Sequence, residues 1–164
     1  MAAHHKTHTI SVLTENHSGT LSRVSGLFSS RGYNITSLTV AETEDHTISR
    51  MTIVVTGDES ILEQIVKQLN KLVDVIKVVD FMEEPIIERE LLLIRVDSTK
   101  SNRHEIIETA NLFGAGVAAV AAGSVTLELL GTKDRVDDFI AMLKPYGIKE
   151  TVRSGAVAIA KSKK

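Results

Sequence analysis

Cysteine is absent from this chain, which removes disulfides, thiol nucleophiles, cysteine-ligated zinc and iron–sulfur clusters together. Tryptophan is absent too, and the 164 residues include only two tyrosines, four phenylalanines and two prolines. A sheet that binds single-stranded RNA needs aromatic side chains on its central strands and a basic face. Tyr33 and Phe81 are the only aromatics in the first half's strand regions, and 19 basic residues stand against 21 acidic ones. Nucleic-acid binding is therefore not expected. No apolar run reaches the roughly 20 residues of a membrane span, and the polar, histidine-rich start Met1–Thr9 has no secretory apolar core. A soluble, cytoplasmic globular protein is expected, in keeping with 43% hydrophobic and 24% charged residues.

What is present is a repeated order of elements. Thr9–Thr14 opens with the polar/apolar alternation of a half-buried strand. Ser18-Gly19 offers a turn with Ser18 as helix N-cap, and Leu21, Val24, Leu27 and Phe28 follow at helical spacing up to Gly32. Tyr33–Thr43 and Ile48–Val55 read as two strands joined by a hairpin at Glu44-Asp45-His46. Ser60 with Glu63 can form a reciprocal capping box before a helix carrying Ile61, Leu62, Ile65, Val66, Leu69 and Leu72. Val73–Phe81 closes a βαββαβ unit.

Acidic residues and a proline, Glu83-Glu84-Pro85, interrupt the pattern, and the order then repeats. Leu91–Val96 is a strand. Asn102 and Glu105 start a helix through Ile106, Ile107, Ala110 and Phe113. Val117–Ala122 and Val125–Leu130 flank a Gly123-Ser124 turn. Val136, Phe139, Ile140 and Leu143 form a helical face, and Ile148–Ala160 is a last strand region broken at Ser154-Gly155. The expectation is an α+β protein of two ferredoxin-like domains, residues 8–82 and 83–164, each a sheet with helices on one face. Units of about 80 residues bury only about 60–65% of their unfolded surface, and each sheet leaves one face and its edges open. Edge pairing between two copies would protect both, so a homodimer through the first unit is expected.

Catalytic constellations are missing. There is no G-x-S-x-G elbow, H-E-x-x-H helix or G-x-x-x-x-G-K-[ST] phosphate loop. Gly114-Ala-Gly116-Val-Ala-Ala119 matches a loose dinucleotide pattern, but it follows a helix and opens a strand, the reverse of what a Rossmann unit requires. Of six histidines, His4, His5 and His8 belong to a solvated N-terminus, and His17, His46 and His104 sit at separate turns, so no metal site is expected. The acidic pairs Glu83-Glu84 and Asp137-Asp138 read as solvated surface.

The informative segment is the first strand-to-helix turn. Exposed N–H groups and the helix dipole favour a carboxylate there, and Gly19 lets a ligand approach the backbone without a Cβ in the way. Asn34, at the start of the next strand, offers two donors and an acceptor suited to an amino-acid head group. From spacing alone, Gly19 reads equally well as a plain turn and Asn34 as a surface amide.

The run E-N-x-x-G-x-L-S-R-V-x-G-L-F-S-x-R-G-Y-N-I-x-S-L-T-V, Glu15 to Val40, resembles the small regulatory subunits of acetolactate synthase. The likeness continues at Ser49-Arg50-Met51-Thr52-Ile53 and Leu69-Asn-Lys-Leu72-Val-Asp-Val75, and returns at Val152-Arg153-Ser154-Gly155. The resemblance implies an ACT domain at 8–82, for effector binding and dimerisation, and a C-terminal small-subunit domain at 83–164. It implies a non-catalytic chain that activates a large catalytic subunit and confers feedback inhibition by valine or another branched-chain amino acid. Thiamine diphosphate, Mg2+ and FAD would reside in that catalytic subunit and none in this chain. Effector contacts would come from Asn16, Gly19, Thr20 and Leu21 of one protomer and Asn34 and Ile35 of the other. Thr20 stands where many members carry Ala or Val, which bears on effector preference. The alternative is a free-standing ACT-type amino-acid sensor acting on a different enzyme or regulator.

Overall fold

The computed structural model describes residues 6–82 and 84–161. The alternation of the first strand, β1 (Lys6–Glu15), sends His8, Ile10, Val12 and Thr14 to a buried face. Helix α1 (Thr20–Ser30) covers that face with Val24 and Phe28. β2 (Ile35–Glu42) and β3 (Ile48–Gly57) form the expected antiparallel hairpin, with Leu38 opposite Ile53 and Val40 opposite Met51. Helix α2 (Glu59–Leu69) adds Leu62, Ile65 and Leu69 to the core, and β4 (Val75–Asp80) completes an antiparallel sheet of order β2-β3-β1-β4.

Several local expectations are corrected. Gly19, not Ser18, is the N-cap of α1, in a left-handed conformation. The Ser60–Glu63 capping box does not form, because α2 starts two residues earlier than a Ser60 cap requires, with Asp58 as N-cap, so Ser60 is already helical. Val73 is excluded from β4 and stands almost fully exposed in the preceding turn. His8 is no tail residue but a strand residue buried opposite Val55, both ring nitrogens without a partner among the described residues. His4, His5 and Glu83 lie outside the described residues.

Thr14 is wholly buried, and its hydroxyl has no hydrogen-bond partner among the described residues. An unmet buried hydroxyl costs about 1–3 kcal/mol. Thr14→Val, which keeps the branched shape, is expected to raise unfolding free energy by about 1 kcal/mol in urea titration.

The sheet face away from α1 and α2 is partly covered, although Ala41, Arg50 and Lys77 on it stay exposed. After Gly155 the chain returns to this first unit as β9 (Val157–Ala160). Ala156 N–H donates to Ser37 Oγ at 3.0 Å, and Thr39 Oγ1 donates to the Ala156 carbonyl at 2.8 Å. Ser11, Thr52 and Val54 on this side are buried. The chain's own C-terminal segment thus covers the β2 part of this face, and the rest of it and the sheet edges stay open.

The second unit, Glu88–Gly155, follows the same plan. β5 (Ile86–Asp97) enters it and alternates with Glu90, Leu92, Ile94 and Val96 inward. Helices α3 (Arg103–Leu112) and α4 (Lys133–Leu143) pack Ile106, Ala110, Val136, Phe139 and Leu143 on those residues. With β6 (Gly116–Ala121), β7 (Ser124–Gly131) and β8 (Ile148–Arg153) the order is β6-β7-β5-β8, all antiparallel. The glycine pattern at Gly114 follows α3 and opens β6, as expected.

Asp137 is not merely solvated. Its carboxylate accepts from Lys133 Nζ at 2.6 Å and from Arg153 Nη1 at 2.7 Å. The Lys133 hydrogen bond, aided by Arg153, holds its pKa below the usual value. A carboxyl lowered on folding contributes stability that is full above the unfolded pKa of about 3.9 and lost as pH falls through the folded value. Asp137→Asn is expected to flatten the acid limb of a Tm-versus-pH curve below about pH 4.

Candidate effector site

Past Glu15 the chain is latched to the β2–β3 hairpin. Asn16 N–H donates to the Thr47 carbonyl at 2.7 Å. Its side-chain Nδ2 donates to Glu42 Oε1 at 3.0 Å and to the His46 carbonyl at 2.9 Å. Glu42 also holds His46 Nδ1 at 2.8 Å through its second oxygen. The hairpin is self-supported, because Asp45 Oδ1 accepts from the Thr47 hydroxyl at 2.7 Å and its N–H at 2.9 Å. Those bonds, the hydroxyl's first, lower the Asp45 pKa. Asn16 therefore commits both amide protons to its own chain and offers a ligand its oxygen.

Gly19, at φ 85°, turns the chain into α1. The first i to i−4 bond of the helix runs from Arg23 N–H to the Gly19 carbonyl at 3.1 Å, so the N–H groups of Leu21 and Ser22 lie in the first turn with no upstream carbonyl partner among the described residues. No acidic residue occupies that first turn, which leaves the positive end of the dipole for an outside anion. Arg23 strengthens it. Helical side chains tilt toward the N-terminus, and the Arg23 Nη1 lies 3.5 Å from where a Cβ at Gly19 would stand. The same guanidinium is fixed by Asp74, with Nε donating to Oδ2 at 2.7 Å and Nη2 to the same oxygen.

Leu21 shows its apolar side chain to solvent, whereas Thr20 turns inward with its hydroxyl buried and without a partner among the described residues. Thr20 N–H donates to the His17 carbonyl at 3.3 Å. Glu15, His17 and Asp74 bring one ligand atom each within 4.8 Å of one another, but the Asp74 carboxylate already carries the Arg23 charge.

Asn34 and Ile35 lie elsewhere in the chain. Ile35 sits opposite Val55, which pairs with His8, whereas Glu15 pairs with Ile48. Seven residues of strand separate those rows, about 23 Å at about 3.3 Å per residue. One chain does not bring the Gly19 turn and Asn34 together. Asn34 is exposed at the start of the free edge strand β2. Sequence reasoning gave no role to Arg23, Asp74 or Glu42. Arg23 was visible in the run around Gly19, but its partner lies 51 residues away and carries no local signal.

The family model described as the AHAS small subunit-like ACT domain matches residues 10–77, and that of the small subunit of acetolactate synthase matches 89–162. A probable acetolactate synthase small subunit of Archaeoglobus fulgidus is 50% identical over 157 residues, covering 96% of this chain and 98% of the relative. The acetolactate synthase small subunit of Haemophilus influenzae is 51% identical, with 94% and 96% covered. The crystal structure of the small subunit from Thermotoga maritima superimposes with a TM-score of 0.87 at 35% identity, covering 96% of this chain and 99% of that one. Among the described residues, no helix is long and apolar enough to cross a membrane.

Proposed function

Because this chain belongs to the acetolactate synthase small-subunit family, we propose that it is a non-catalytic regulatory subunit. It activates the thiamine-diphosphate-dependent catalytic subunit, which carries Mg2+ and FAD, and makes it sensitive to valine or another branched-chain amino acid. The observation behind this reading is a site divided between the two ends of an edge strand. Antiparallel pairing of β2 with β2 of a second copy sets the Asn34–Ile35 end of one strand beside the Glu42 end of the other. Glu42 is hydrogen-bonded to Asn16 of its own chain, so the Gly19 turn follows that end. A residue pair and a turn about 23 Å apart in one chain become neighbours across a two-fold axis.

The chemistry fits an amino acid. The carboxylate meets the N–H groups of Leu21 and Ser22 with Arg23 behind them, Asn34 of the second protomer takes the head group, and Leu21 and Ile35 receive an aliphatic tail. Burying such a tail is worth about 1.5–3 kcal/mol. A ligand at a joint between protomers changes their relative orientation without altering either core, and the coupling this requires is about 1–3 kcal/mol.

The deciding experiment assays acetolactate formation by the catalytic subunit, with and without this chain, across a valine titration. Higher activity with the chain and inhibition by valine only in its presence support the proposal; no effect of the chain on either rejects it. Within the site, Asn34→Ala is expected to weaken valine binding about ten-fold, the loss of one charge-assisted hydrogen bond. Unchanged affinity in calorimetric titration would remove Asn34 from the site.

A further inference from the structure

The effector reading leaves Glu15 and His17 without a role. Glu15 closes β1, His17 follows two residues on, and Asp74 stands in the turn before β4. Backbone pairing brings these segments together, because Glu15 N–H donates to the Asp74 carbonyl at 2.8 Å. His17 Nδ1 lies 3.3 Å from Glu15 Oε2, and one ligand atom from each of the three residues falls within 4.8 Å of the others. In the sequence His17 stands alone at its turn; the fold supplies it with two carboxylates.

That donor set suits a divalent transition ion. An imidazole nitrogen separates it from a purely acidic cluster, and hard ions such as Mg2+ favour oxygen ligands alone. Zn2+ binds imidazole nitrogen at about 2.0–2.1 Å and carboxylate oxygen at about 2.0–2.2 Å, with tetrahedral geometry. Ligand atoms around such an ion stand about 3.4 Å from one another, and the His17–Glu15 separation already matches that edge. Their side chains are 64% and 48% exposed, so they are free to close on Asp74, which is sheltered at 15%.

Arg23 does not fill the site. Its Nε and Nη2 both donate to Oδ2 of Asp74, and Oδ1 has no hydrogen-bond partner among the described residues. A donor bonded to a ligating carboxylate is a common outer-shell arrangement, which fixes the orientation of the ligand.

We propose that Glu15, His17 and Asp74 form a site for a divalent transition ion of the Zn2+ class, with Arg23 orienting Asp74 and water completing the coordination. The site is built from one chain and does not depend on the effector reading.

The test titrates Zn2+ calorimetrically into the full chain carrying His4→Ala and His5→Ala, which removes the competing imidazoles near the start of the sequence. One equivalent per chain is expected to bind, and Mg2+ at the same concentration should not displace it. His17→Ala should weaken binding about 100-fold, since loss of an outer-shell partner alone costs about 10–100-fold. Glu15→Gln, an exposed and isosteric change, should weaken it about ten-fold or more, with circular dichroism unchanged. His104→Ala should bind as the parent does. A parent that takes up no stoichiometric Zn2+ overturns the proposal. So does a His17→Ala chain that binds Zn2+ like the parent, which would place the ion elsewhere.

Discussion

Gly19→Asp is expected to raise the valine concentration for half-inhibition of the reconstituted enzyme about 100-fold or more, a loss of about 2.7 kcal/mol. At Gly19 the backbone has φ 85° and a new Cβ would point toward Arg23 Nη1. An aspartate there fills the position of the ligand's carboxylate and takes Arg23 for itself. Two carboxylates about 4 Å apart repel by about 4 kcal/mol at an effective dielectric of about 20, more than enough to account for the loss. Left-handed backbone costs a non-glycine residue about 1–2 kcal/mol, least for Asp and Asn, so the chain should still co-sediment with the catalytic subunit. Gly19→Asn separates charge from bulk. It carries the same shape without the repulsion and should lose far less valine sensitivity. An aspartate variant inhibited like wild type would move the site away from this turn.

The second large effect concerns stability. Arg153→Met is expected to destabilise the second unit by on the order of 3 kcal/mol. Arg153 on β8 donates through Nη2 and Nε to Glu90 on β5, whose side chain is only 6% exposed, and through Nη1 to Asp137 on α4. Removing the guanidinium leaves a buried carboxylate without its counter-charge, which costs more than the intact pair contributes. Glu90→Met combined with Arg153→Met should recover most of the loss, because it removes the stranded charge as well. Hydrogen exchange at β5, β7 and β8 amides reads this unit separately, which a single whole-chain melting curve does not. Equal exchange in wild type and Arg153→Met would show that the pair contributes nothing.

This pair explains what the sequence could and could not tell. Val152-Arg153-Ser154-Gly155 was legible as a family signature, yet its physical reason was not. Arg153 anchors β8 to β5 and α4, Ser154 Oγ accepts from Leu91 N–H at 3.0 Å, and Gly155 at φ 83° turns the chain out of the unit. The two βαββαβ orders were readable because alternation and helical spacing are local. Boundaries failed where local chemistry offered two solutions, as at Ser18 and Ser60, where neighbouring residues took the cap. His8 was misplaced because a polar run does not announce that every second member is covered by helices distant in sequence. In the candidate site, Gly19 and Asn34 were singled out from spacing and resemblance. The commitment of Asn16 to Glu42 and the closure of Arg23 on Asp74 depend on residues 26 and 51 positions away and needed the fold.

The return of Ala156 to Ser37 and Thr39 has a bearing on biosynthesis. The cover over β2 in the first unit can be completed only after the ribosome has made the whole second unit. Until then a nascent chain displays β2 with its flank bare. The proposed pairing through that strand would thus be checked against full-length translation, and a product terminated shortly before Ala156 should reach chaperones or proteases rather than a partner.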